Sequence, residues 1–262
     1  MLHVSVRKNF KALAKMGYIA RGVVYVVIGV LALLSAIGEG GETTDSKGAL
    51  VKIFDQPFGV FLIVLLIIGL IGFVVWRFVQ AIKDTDSHGK SAKGIAIRVG
   101  LMASAVSHAL LALWAIKMLF HQEDKSSGGE TALIASVGGQ WLIGVAGFVI
   151  VGVGVAHIVK GWTARFERYM EIPSNRDMWA QPVCRFGLIA RGVVWCLVGW
   201  FFINSALLAG SGEVKGMAEA LASLREAPYG SWILGIVSAG LFAFGVYSVL
   251  EAIYRRIDVA LN

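Results

Sequence analysis

Charge is scarce in this sequence: 16% of its 262 residues are charged and 57% are hydrophobic, with a mean hydropathy of +0.73. A soluble domain is roughly 25% charged, so this is a membrane composition. Acidic residues are missing from the middle of every long apolar run, which argues against a carboxylate-driven proton or sodium pump. Cysteine is nearly absent. Cys184 and Cys196 stand about 18 Å apart on one expected helix at 1.5 Å per residue, beyond the reach of a disulfide, so both are expected as free thiols. No HExxH, paired CxxC, phosphate loop or GxSxG occurs. His108 and His157 fall at different depths, which disfavours joint ligation of a haem. Neither an enzyme nor a cofactor is expected.

Apolar runs near 17–37, 58–82, 95–120, 139–161, 186–209 and 230–254 are long enough to cross a hydrocarbon core, which takes roughly 20 helical residues. The basic lead-in Arg7, Lys8, Lys11 and Lys15 resembles a signal peptide, but no small-x-small cleavage site follows Leu34, so the first helix is expected to be retained. Loop charge alternates. Only six of the 24 Lys and Arg (Lys47, Lys52, Lys117, Lys125, Lys215 and Arg225) fall on the side away from the termini. The positive-inside rule then predicts cytoplasmic termini and a bacterial inner-membrane location. The net charge of +7 reflects that bias and needs no nucleic acid. Contact with anionic head groups would add to that bias.

Residues 17–29, GYIARGVVYVVIG, and 187–199, GLIARGVVWCLVG, share eight of thirteen positions at an offset of 170. A third copy aligns between them without a gap: GLMASAVSHALLA, 100–112, sets Ser104 against Arg21 and Arg191, and His108 against Tyr25 and Trp195. PFG at 57 and PYG at 228 open the second helix of repeats 1 and 3, and VVWRFVQAI matches GVYSVLEAI near their ends. The fourth span aligns more loosely, with either Ala156 or His157 opposite Trp76. Short segments at 47–54, 129–137 and 216–226 have helical apolar spacing and are expected as amphipathic interfacial helices on the outer side. The unit is helix, surface helix, helix, over 16–83, 94–162 (divergent) and 186–254, within a single membrane domain, 1–262.

The G-x-x-A-R-G-V-V-Y helix, the PFG helix after it and the six spans resemble the bacterial membrane family catalogued as domain of unknown function 1206. The resemblance implies a six-helix inner-membrane protein of three tandem repeats and brings no activity or catalytic residue. Because a two-helix unit returns the chain to its starting side, the copies point the same way. The expected fold is an all-α integral membrane protein with six transmembrane helices, arranged as three parallel helical hairpins with pseudo-threefold symmetry.

Two stripes mark the odd-numbered spans. One is small: Gly22, Val26, Gly29; Ala105, Ala109, Ala112; Gly192, Cys196, Gly199. Small residues let helix backbones approach closely in lipid, so this stripe is expected to be a helix contact. The other carries the polar groups: Arg21 and Tyr25, Ser104 and His108, Arg191 and Trp195. At i, i+4 the guanidinium is expected over its own helix's ring, worth roughly 0.5–2 kcal/mol. Tight sequential hairpins would set Glu251 near Arg191, Gln80 against Arg21 and Lys160 near Ser104. Facing inward, Arg21, Lys160 and Arg191 would ring the axis and favour an anion or a lipid phosphate. Facing their neighbours, they would be staples. His108 takes a position where its sister repeats keep an aromatic, which favours packing with one hydrogen bond over a proton relay.

Two functional readings stand. One is a non-enzymatic scaffold or bundle that binds membrane lipid (anionic lipid included), a membrane-protein partner or a second copy of itself. The alternative is a small channel or carrier whose basic ring admits an anion or small solute. No metal site is expected.

Overall fold

The computed structural model describes residues 2–120, 139–207 and 216–257. Six long helices carry the apolar runs: α1 (Leu2–Ile37), α3 (Gly59–Lys83), α4 (Ala92–Phe120), α5 (Gly139–Trp162), α6 (Ser174–Leu207) and α8 (Gly230–Tyr254). Each is long and apolar enough to cross a membrane, and the chain is a multi-pass membrane protein. Among the described residues every regular element is helical, apart from one isolated bridge between Met170 and Arg255.

Two short amphipathic helices, α2 (Ser46–Phe54) and α7 (Met217–Glu226), lie between the long helices of repeats 1 and 3. They tuck Ala49, Leu50 and Ile53, and Ala220 and Leu221, against the bundle. The equivalent segment expected at 129–137 lies outside the described residues.

The turns out of α2 and α7 share one geometry. Phe58 and Tyr229 have left-handed φ angles of 64° and 60°, and the next residue is glycine for a steric reason. A Cβ on Gly59 would stand 1.8 Å from the Phe54 carbonyl oxygen, and one on Gly230 2.0 Å from that of Arg225.

Two helices begin earlier than the apolar runs indicate. α1 starts at Leu2 because its basic lead-in holds no helix breaker, and Lys, Arg and Ala are strong helix formers. α6 starts at Ser174 and carries Pro182 within it. Both therefore project beyond the apolar layer at the end of the bundle that holds the chain termini, where Lys15 Nζ reaches the Ile253 carbonyl at 3.5 Å.

The helix neighbours correct one expectation. α1 packs on α3 and α6 packs on α8, as hairpins should, but α4 and α5 do not form a packed pair. The most extensive contacts run between repeats instead: α1 with α8, α4 with α3, and α6 with α5. The described helices thus follow one another in space as α4, α3, α1, α8, α6, α5. Only 17% of the apolar stretch of α4 and 11% of that of α5 is buried, against 44% to 61% for the other four.

Between repeats, the small-residue stripe meets a second small stripe. A Cβ on Gly22 would come within 2.9 Å of the Gly245 carbonyl oxygen, and one on Gly192 within 2.6 Å of that of Gly154. A Cβ on Gly199 would lie 2.8 Å from the Gly147 carbonyl oxygen, and one on Gly29 2.6 Å from the Phe242 backbone nitrogen. Such approaches let whole helix faces gain dispersion contact where lipid offers no hydrophobic drive. Ala105 and Ala112 are the buried residues of this stripe on α4. Gly154 therefore plays on α5 the part of Gly245 on α8, and this fixes the open register: Ala156, not His157, stands opposite Trp76. In that register Gln80, Lys160 and Glu251 occupy one repeat position, and Arg77, His157 and Ser248 another.

Candidate functional site

One turn inside the terminal end, the contacts between repeats bring the polar stripe into a buried cluster. In two of the interfaces the odd-helix arginine reaches across to the even helix of another repeat: Arg21 to α8 and Arg191 to α5. Arg21 donates through Nε to Ser248 Oγ at 3.1 Å and pairs with the Glu251 carboxylate. Arg191 donates to the Tyr25 hydroxyl at 3.0 Å and meets His157 Nε2 at 2.8 Å. The His157 Nδ1 lies 2.8 Å from the Val153 carbonyl. With Nδ1–H donating there, Nε2 is free to accept from Arg191, which fixes a neutral ring.

These pairs correct the ones expected from tight hairpins. Glu251 binds Arg21 rather than Arg191, Gln80 faces Arg77 and Asp86, and Lys160 donates to the Tyr247 hydroxyl at 2.9 Å. The cause is the helix order: α8 lies against α1 on one face and α6 on the other, and its polar positions point toward α1.

The third interface, α4 with α3, carries its cation on the other helix. Ser104 holds the arginine position, while Arg77 holds the position occupied by Ser248 and His157 in the other two. Each interface thus keeps one guanidinium at this pair of positions. Arg77 was not among the sequence-derived candidates; aligning the even helices by their Gly154 and Gly245 contacts is the signal that finds it. His108 packs against Phe73 with ring centroids 4.6 Å apart, as Tyr25 packs against Phe244 at 4.7 Å, and its Nδ1 lies 2.8 Å from the Ser104 carbonyl. The same nitrogen lies 3.3 Å from the Ser107 hydroxyl.

The ring contacts also cross between helices. Arg191 lies over Trp195 at 5.7 Å, as i, i+4 spacing predicts, but closer to Tyr25 at 5.0 Å and Phe244 at 4.4 Å. Arg21 lies over Tyr18, Phe73 and Phe244 at 5.0 to 5.2 Å and not over its own Tyr25, because Ser248 and Glu251 draw it toward α8.

Glu251 is 1% exposed and is shared: Arg255 donates to its other oxygen at 2.8 Å. A second arm of Arg255 reaches Asp86 at 2.8 Å, and Asp86 also accepts from Gln80 at 2.9 Å. The loop after α3 therefore supplies the second carboxylate. Asp84 shapes that loop. Its carboxylate accepts from the backbone N–H groups of His88 and Gly89 at 2.8 and 2.7 Å. Burial works to raise this carboxyl, but the two N–H donors and nearby Arg98 outweigh it and hold it below its usual range. A depressed carboxyl contributes stability above its unfolded value and loses it as pH falls toward the folded value. Hydrogen exchange at His88 and Gly89 is therefore expected to accelerate below about pH 4, and Asp84→Asn to remove that acid dependence.

A further set of basic residues escaped the sequence reading. Lys15, Arg98 and Arg185 share one repeat position, and each caps the even helix of the preceding repeat. Arg98 donates to the carbonyls of Ala81 and Ile82 at 2.7 and 3.0 Å, and Arg185 to those of Gly161 and Trp162 at 3.2 and 2.6 Å. A cation suits the negative end of a helix dipole and satisfies its last carbonyls.

The cluster holds more positive than negative charge. It comprises five cations, Arg21, Arg77, Lys160, Arg191 and Arg255, against two carboxylates, Glu251 and Asp86, of which Glu251 pairs with Arg21 and Arg255 and Asp86 with Arg255. Among the described residues Arg77, Lys160 and Arg191 have no carboxylate within salt-bridge distance. Buried donors also stand idle: Arg77 Nε, Trp195 Nε1 and Arg255 Nε have no acceptor, and the Thr85 hydroxyl has no partner. No group of three or more His, Cys, Asp and Glu suited to a metal occurs among the described residues. Cys184 and Cys196 are free thiols.

A family model described as Domain of Unknown Function (DUF1206) matches three times, at residues 16–84, 99–164 and 186–255. A similar protein, described as "Uncharacterized protein YxxB" of Bacillus subtilis (strain 168), is 34% identical over 255 residues, covering 94% of this chain and 91% of that protein. No solved structure matches the chain.

Proposed function

Because the chain belongs to the Domain of Unknown Function (DUF1206) family, whose description names no activity, we propose a function from the interior of the bundle: a non-enzymatic membrane protein that binds an anionic lipid. The observation that carries this reading is the surplus of buried cations. Arg77, Lys160 and Arg191 lack carboxylate partners, and the partnerless nitrogens of Arg77, Trp195 and Arg255 are all donors. A buried charge without a counter-charge costs several kcal/mol, and a phosphate supplies both the charge and the acceptors. The Lys and Arg bias supports a cytoplasmic position for this end of the bundle in a bacterial inner membrane, where anionic head groups are held by about 1 kcal/mol per basic side chain.

A channel or carrier is the competing reading. Against it, Phe244 is 1% exposed and lies between Tyr25, Arg21 and Arg191, so the polar groups close on an aromatic ring rather than on a path.

The test is phosphorus analysis of protein purified in a non-ionic detergent. Wild-type protein is expected to keep a stoichiometric phospholipid, and Arg77→Gln with Lys160→Gln to lose it while eluting as a folded species. Protein that carries no phospholipid, or that passes anions in liposomes, would overturn the reading.

A further inference from the structure

The same pair of positions is packed in two repeats and open in the third. In repeat 1 a Cβ on Gly17 would lie 2.5 Å from the Phe73 backbone nitrogen, and one on Gly69 2.6 Å from Ala20 Cβ. In repeat 3 the corresponding distances are 2.4 Å from Gly187 to the Phe244 nitrogen and 2.1 Å from Gly240 to Ala190 Cβ. In repeat 2 the counterpart of Gly17 and Gly187 is Gly100, and a Cβ there meets nothing within 4 Å among the described residues. The same holds for Gly152 on α5, and Val149, at the position of Gly69 and Gly240, is 60% exposed. Among the described residues α4 and α5 do not pack on each other, so an open seam runs between these faces, apolar along its α5 side.

Charge says what the seam takes. Val149, Val153, Ala156 and Lys160 follow one another at steps of four, three and four, one stripe of α5. The stripe is apolar until its terminal end, where Lys160 stands within electrostatic reach of one carboxylate, Glu251, and of three cations, Arg255, Arg77 and Arg21. A long apolar slot closed at one end by surplus cations matches a molecule with an acyl chain and an anionic head. A second copy of this chain would bring the same positive end and be repelled.

We infer that the seam between α4 and α5 is the acyl-chain slot of a phospholipid whose phosphate sits against Lys160 and Arg77. This rests on the lipid-binding reading and adds where the chain lies and how the lipid enters: sideways from the bilayer, between two helices that the other repeats hold shut.

The experiment uses the full chain in vesicles of phosphatidylglycerol and phosphatidylcholine, doped with phosphatidylglycerol that carries a photoactivatable diazirine in its acyl chain. After irradiation, adducts are expected on α4 around residues 100–111 and on α5 around 149–156. The matching phosphatidylcholine probe is expected to label about fivefold less, the effect of one basic contact. Gly152→Leu, which fills the slot where nothing clashes, is expected to lose the adducts and keep the elution profile. Retained phospholipid with labels spread evenly over the lipid-facing helices would overturn this inference and leave the lipid-binding reading intact. Links between two copies of the chain at the seam would replace the lipid by a dimer and overturn it as well. Wild-type protein without bound phospholipid would sink both.

Discussion

Glu251→Ala is expected to be among the most damaging single substitutions in the chain. The carboxylate is 1% exposed and faces Arg21 on one side and Arg255 on the other. Removing it strands the Arg21 guanidinium with only Ser248 as a partner, while Arg255 keeps Asp86 at 2.8 Å. Breaking a buried pair from one side costs about 3–5 kcal/mol, because the remaining charge stays desolvated. That is a large part of the roughly 5–15 kcal/mol that holds a domain folded. Thermal unfolding in detergent, followed by tryptophan fluorescence, is the measurement, with a large drop in midpoint or loss of folded protein as the result. Replacing both partners, Arg21→Met with Glu251→Met, is expected to recover much of the loss, since no charge is then stranded on that side. An unchanged midpoint for Glu251→Ala would mean that the pair is not desolvated and that the site opens to water.

How these partners meet was only half legible from the chain. The helices were readable because apolar runs of spanning length admit one interpretation in lipid, where backbone groups must bond within their own helix. The faces were readable too: Gly22, Gly192 and Gly199, picked out by helical spacing, all lie at close contacts with a neighbouring helix. Which helix stands opposite a small-residue face is another matter. Periodicity reports that Gly192 must meet something flat; it does not distinguish α8, next in the chain, from α5, which precedes it. Taking the sequential neighbour gave Arg191 to Glu251, whereas the structure gives it to His157.

The repeat itself held more than spacing alone revealed. Lys15, Arg98 and Arg185 fall at one repeat position and are all basic, a regularity that points to a shared helix cap. Arg77 looked unremarkable beside Trp76 until the fourth span's register was fixed by Gly154 against Gly192. The seam could not be read at all. Gly100 stands at the same repeat position as Gly17 and Gly187, and the difference lies in what fails to cover it.

Gly192→Leu is the second large effect. A Cβ at this position would come to 2.6 Å from the Gly154 carbonyl oxygen, 2.6 Å from Ile158 Cγ1 and 2.9 Å from the Ile158 nitrogen. Two of the three obstacles are backbone, so the clash cannot be relieved by a rotamer change; α5 and α6 would have to move apart. The facing glycine is equally confined, with Cys196 Sγ 2.6 Å and the Gly192 oxygen 2.7 Å from a Cβ on Gly154. Parting these helices gives up dispersion along the whole stripe, where each atom pair contributes only about 0.1–0.2 kcal/mol but the sum is large. It also pulls His157 away from Arg191, which has no carboxylate to fall back on among the described residues. The expected outcome is protein that fails to elute as a folded species, against Gly100→Ala, which meets open space among the described residues and should gain about 0.5–1 kcal/mol from lower backbone entropy. Comparing the two by size exclusion and thermal unfolding separates close packing from helix propensity. If both variants unfold at the wild-type temperature, α5 does not lie where this contact requires, and the seam on its other side would close with it.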